Sequence, residues 1–79
     1  MTDEKAIAEK IMRKAERYEE RARDEHRRAV SDMSAAQALA EDWDLCQAKD
    51  MMRSALAHMV AASTSLALAR EIVEVARDE

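Results

Sequence analysis

The sequence predicts an all-α protein: an antiparallel hairpin of two long helices, closed along a heptad seam of alanines and expected to dimerise into a four-helix bundle. Three observations predict it. Alanine returns every seventh residue through both halves of the 79-residue chain, at Ala8, Ala15, Ala22, Ala29 and Ala36, then at Ala48, Ala55, Ala62, Ala69 and Ala76. A seven-residue recurrence keeps one face of a helix turned toward a partner helix. The two series mirror each other about Asp42, so that Ala36 meets Ala48, Ala29 meets Ala55, Ala22 meets Ala62 and Ala15 meets Ala69. One helix folding back on another requires that arithmetic. Finally, the chain has no Gly and no Pro, hence no helix breaker and no residue specialised for positive φ.

The elements follow in order. Thr2 or Asp3 caps the first helix, with Glu4 favourably placed against the helix dipole. Apolar spacing then carries one helix over residues 3–40, about 57 Å at 1.5 Å per residue. Its core positions read Ala8, Ile11, Ala15, Tyr18 and Ala22. They then slip by one to His26, Ala29, Met33 and Ala36, which turns Glu25 and Asp32 toward water, because a buried carboxylate without a partner is costly. On the exposed side Glu9 with Arg13, Glu19 with Arg23 and Asp24 with Arg28 stand at ion-pairing distance along the helix. A competing break at residues 31–34, where Ser34 and Gln37 fit a capping box, would give three helices and waste the mirror symmetry.

Residues 41–44, Glu-Asp-Trp-Asp, form the turn. Asp44 and Gln47 fit a capping box, and Trp43 stands where a staple residue sits, covering the end of the bundle. The second helix covers residues 45–77, with Leu45, Met52, Met59, Leu66 and Val73 as the large seam positions. The whole chain reads as a single helical-hairpin domain, 1–79.

A two-helix hairpin this small lacks a third wall and usually needs self-association. The expected oligomer interface is built from Met12, His26, Val30 and Met33 on the first helix. On the second it takes Met51, His58, Ala61, Leu68, Ile72 and Val75. Methionines make such a flank adaptable to another protein as well. The function expected is therefore a non-enzymatic protein–protein interaction module acting as a homo-oligomer. An adaptor, small inhibitor or assembly component of the kind phages and mobile elements encode fits that size.

By the mirror rule His26 and His58 are neighbours across the hairpin, and a nearby two-fold axis would gather four imidazoles. They are the only metal candidates, against the simpler reading that they hydrogen-bond within an interface. Cys46 lies three turns from His58 and reads as a small hydrophobe. No phosphate-cradling glycine loop and no nucleophile–base set is present, so no catalytic residue and no cofactor is expected. Glu16, Glu19 and Glu20, with Glu41 and Asp44, resemble the paired carboxylates of all-α nucleoside triphosphate pyrophosphohydrolases, which hold magnesium. A straight hairpin, however, separates the two groups by about 30 Å.

A rival reading is nucleic-acid binding through Lys10, Arg13, Lys14, Arg17, Arg21 and Arg28 of the first helix. The net charge of −4 argues against a dedicated nucleic-acid binder but not against a local basic patch. The interleaved acids favour a solvated face laced with ion pairs. The alternation of small and large core layers resembles the ROP-type RNA-binding plasmid-control hairpins, a resemblance that implies RNA as partner. Trp43 between two helices resembles the turn of the secreted WXG hairpins, although Asp44 stands where their glycine belongs. A lone cysteine and the lack of an apolar leader point to a cytoplasmic protein, and the least charged stretch, around His58, is too short and polar to span a membrane.

Overall fold

The computed structural model describes residues 2–77, which form two helices, α1 (Thr2–Glu41) and α2 (Leu45–Arg77). There is no break near residue 31, and α1 runs through Ser31 and Ser34 as regular helix. The side chain of Thr2, one of the two expected caps, lies outside the described residues, and Asp3 and Glu4 sit in the first turn. The helices pack side by side into a rod of 63 × 16 × 11 Å.

The reversal is made by the backbone rather than by special residues. The Asp44 N–H donates to the Leu39 carbonyl at 2.9 Å, and the Trp43 N–H donates to the Ala40 carbonyl at 3.0 Å. Those two bonds define a Schellman motif that satisfies the last carbonyls of α1. The motif demands a left-handed residue, and Trp43 supplies it with φ of 62°. Glycine normally fills this position, because a Cβ there crowds the following carbonyl. Asp44 then starts α2: its Oδ1 accepts the Gln47 N–H at 3.2 Å, the capping half of the expected box. The Asp44 N–H is already committed to Leu39, so the return half does not form. Trp43 is 84% exposed, so it neither staples α2 nor covers the end of this chain's own hairpin.

The seam is alanine. Ala15, Ala22, Ala29 and Ala36 of α1 and Ala48, Ala55, Ala62 and Ala69 of α2 are all buried, none more than 7% exposed. Ala8 is exposed and Ala76 half-buried, so the ladder frays at its open end. Between the rungs the packing departs from the sequence reading in one systematic respect. On both helices the half-buried or buried position is the residue three after each alanine: Ile11 (after Ala8), Tyr18, Glu25, Asp32 and Leu39 on α1, and Met51, His58, Ser65 and Ile72 on α2. Met52, Met59 and Leu66, each four after an alanine, and Leu45 at the start of α2, all expected inside, are exposed, whereas Val73, four after Ala69, is half-buried as expected.

The expected slip after Ala22 therefore does not occur. His26 and Met33 face outward, while Glu25 and Asp32 stay on the seam. The reason lies across the seam. α2 brings hydrogen-bond donors to both carboxylates, so the burial that the slip was meant to avoid is compensated.

The shape is that of an extended rod rather than a compact globule. The radius of gyration is 18.0 Å, against about 11.6 Å for a compact domain of this length. The accessible surface is 6582 Å², against about 4850 Å² for a compact monomer of 9.0 kDa.

The turn yields a direct test. Trp43→Gly removes the left-handed strain and raises unfolding stability by about 1 kcal/mol. Asp44→Ala removes the N-cap and lowers it by about 1 kcal/mol. Urea unfolding followed by circular dichroism reads both, and destabilisation by Trp43→Gly would show that the indole makes contacts beyond its own chain.

Candidate functional site

Because both helices turn the same flank of their alanine ladder inward, the hairpin has two unlike faces. Residues four after an alanine, and the next ones round, open on one face. Residues three after it, and those preceding an alanine, close the seam and open on the other.

The first face carries an apolar groove of about 1040 Å³ toward the turn end. Its floor is Ala29, Ala36, Ala48 and Ala55, and its walls are Val30 and Met33 of α1 with Met52, Leu56 and Met59 of α2. Each wall residue is at least about half exposed, Leu56 reaching 65%. His26 sits at the groove's end and lines a smaller depression with Ala22, Ala62 and Leu66. The width comes from the alanines: methyl side chains on the floor leave the longer walls without neighbours.

The second face is polar where it meets the seam. His58 Nδ1 donates to Glu25 Oε2, and its Nε2 lies 3.7 Å from Asp32 Oδ2. Ser54 Oγ donates to the same Asp32 oxygen at 2.6 Å, and Arg28 approaches Glu25 at 3.7 Å. Glu25 and His58 are 19% and 28% exposed at their side chains, so the contact is shielded though not dry. α2 places Ser54 and His58 one turn apart, and α1 places Glu25 and Asp32 two turns apart, so a single imidazole reaches toward both carboxylates. The Ser54 hydroxyl is spent on Asp32 and does not reach the imidazole, so the cluster has no nucleophile–base pair. It clamps the two helices together.

The sequence-derived candidates are thus redistributed. His26 and His58, expected to be neighbours, part company: His26 lines the groove, and His58 points into Glu25 and Asp32. The mirror rule failed there by one residue, since the intermediate rungs pair Glu25 with His58 rather than with Met59. Among the described residues no group of three or more His, Cys, Asp or Glu is arranged to hold a metal ion. Cys46 is exposed rather than a buried hydrophobe.

The expected interface residues also divide. Val30, Met33 and His26 line the groove, and Met12 is exposed on the same flank of α1. Met51, His58, Ala61 and Ile72 are half-buried along or beside the seam, and Leu68 and Val75 open on the opposite face. Met52, Leu56 and Met59 take their place in the groove. Leu56, one residue after Ala55, was legible from its position, but an assumed seam at Met52 and Met59 concealed the pattern.

The basic residues of α1 sort by flank. Arg13 pairs with Glu9 at 3.7 Å, Arg23 with Glu19 at 3.9 Å, and Arg27 with Asp24 at 3.2 Å. The spacing had suggested Arg28 for Asp24, but Arg28 turns to Glu25 instead. Among the described residues Lys10, Lys14, Arg17 and Arg21 form no ion pair. Lys14, Arg17 and Arg21 surround Tyr18 in a small cleft of about 180 Å³, with the Arg21 guanidinium 5.7 Å from the ring centroid. No helix among the described residues is long and apolar enough to cross a membrane. Compared with known protein families, curated proteins and solved structures, the chain matches none.

A double-mutant cycle tests the clamp. Glu25→Ala and His58→Ala each destabilise the hairpin, and the cycle gives a coupling of about 1–2 kcal/mol. Additive single effects would show that the imidazole and the carboxylate do not act as a pair.

Proposed function

We propose that the chain is a non-enzymatic helical protein–protein interaction module that acts as a homo-oligomer, using the groove face to associate. The observation that carries this reading is the apolar groove itself. Val30, Met33, Met52, Leu56 and Met59 form one contiguous patch on a rod with no third layer to cover it. Contiguous apolar exposure of this kind marks an interaction surface rather than ordinary scatter. The size of the missing partner can be gauged. The chain exposes 6582 Å², about 1700 Å² more than a compact monomer of its mass, which falls within the roughly 1000–2500 Å² per side of obligate homodimer interfaces.

A second copy fits that requirement well. Two rods laid groove to groove interleave methionine and leucine walls over alanine floors, giving a four-helix bundle of small and large layers. The unbranched methionines adapt to imperfect fit, which suits a surface that also engages a further protein as adaptor, inhibitor or assembly component. Nothing in the polar cluster calls for a substrate: its one hydroxyl and its imidazole are both spent on carboxylates.

Sedimentation velocity at micromolar concentration tests the reading. The chain sediments as a dimer, and Met52→Asp with Met59→Asp shifts it to monomer by at least tenfold in dissociation constant, with loss of helicity on dilution. A wild-type chain that stays monomeric and folded at 100-fold higher concentration defeats the proposal.

A further inference from the structure

We infer that the face opposite the groove carries a binding track for a single nucleic-acid strand, held through its phosphates by Lys10, Lys14, Arg17 and Arg21. The charges of α1 are segregated. On the groove flank Arg13 is neutralised by Glu9 and Arg23 by Glu19, and Glu16 and Glu20 lie beside them. On the opposite flank Lys10, Lys14, Arg17 and Arg21 follow one another at intervals of four, three and four residues. Among the described residues none of the four has an acidic partner. In a chain whose net charge is −4, a run of four unneutralised cations is a directed field rather than an average property.

The local geometry suits phosphate. Lys14, Arg17 and Arg21 converge around Tyr18, and the Arg21 guanidinium lies over that ring at 5.7 Å. A guanidinium held on an aromatic face keeps its planar fork oriented, which is the form that grips a phosphate through two N–H groups. The cleft, at about 180 Å³, is below the size of a small-molecule pocket and has no apolar wall besides the tyrosine. It therefore receives a charged group rather than a whole ligand.

Length selects the polymer. Lys10 to Arg21 covers about 16 Å of helix axis, so neighbouring cations stand about 5.5 Å apart on average, wider than the ~3.4 Å rise per phosphate of a strand stacked in a duplex. A single strand, unstacked and stretched toward that wider spacing, meets the four cations with successive phosphates, which a duplex strand does not. No side chain is placed to read base edges, so binding is by backbone and independent of sequence. This inference does not depend on the groove, because the two surfaces lie on opposite faces.

The test is fluorescence anisotropy with a labelled 20-nucleotide oligouridine. Binding is micromolar at 50 mM salt, and the log–log salt slope is about −2.8 for four neutralised phosphates, a loss of about 50-fold by 200 mM. Two variants with equal change in net charge locate the contact. Arg17→Gln with Arg21→Gln weakens binding at least tenfold and flattens the slope by about 1.4. Arg13→Gln with Arg27→Gln, on the groove flank, changes affinity by less than threefold. Glutamine is a good helix former, and circular dichroism with sedimentation confirms that fold and oligomeric state are kept. No binding at 50 mM salt overturns the inference. So does equal loss in both variants, or tighter binding to polyglutamate or to phosphatidylglycerol vesicles than to the oligonucleotide.

Discussion

Everything in this protein follows from how closely two helices approach when only methyl groups stand between them. Alanine rungs permit an axis separation near the short end of the usual range, around 8 Å. At that distance the longer side chains beside the rungs are pushed out of the gap and must choose a flank. The backbone then decides the flank once for the whole length, since a seven-residue repeat holds every later residue to the first choice. Half-buried Tyr18, Met51 and Ile72, and exposed Met33, Met52 and Met59, are opposite outcomes of that one choice.

The same constraint explains why a seam with so little apolar area contains acids. Alanine burial contributes little per residue, about one methyl group each, so the contact lacks a strong hydrophobic preference for one register. Glu25 and Asp32, satisfied by His58 and Ser54 of α2, supply a preference that alanine cannot. Sliding one helix past the other by a turn would separate the donors from their carboxylates and leave charge half-buried and unpaired, which costs more than the displaced methyls. The polar cluster is therefore best understood as a register lock, comparable in logic to a single polar residue in a coiled-coil core.

Two faces of different chemistry result. One is wide, apolar and floored by alanine, and its surplus of exposed surface is the kind that a second protein layer removes. The other is polar where it meets the seam, bearing the clamp and a line of basic residues. A bundle assembled through the groove would leave that basic line on its outside, so the two surfaces can be used at once. Trp43 stands apart from both. Held left-handed by the Schellman bonds and almost fully exposed, it accepts a backbone strain that glycine would avoid.

Local periodicity determined the helical class, the place of the reversal and the alanine rungs, because each depends only on spacing along the chain and on the capping chemistry of Asp44. The continuous α1 was legible for the same reason. What spacing could not determine was the flank: a residue three after an alanine and one four after it are equally close to the seam on a helical wheel, and only the handed packing of two antiparallel helices separates them. Sequence reasoning took the larger residues, Met52, Met59 and Leu66, as the inner set on hydrophobicity alone, and expelled Glu25 and Asp32 on the cost of burying charge. Tertiary structure reversed both assignments, because the donors that offset that cost, on His58 and Ser54, come from the other helix and become neighbours of Glu25 and Asp32 only once the chain has folded back.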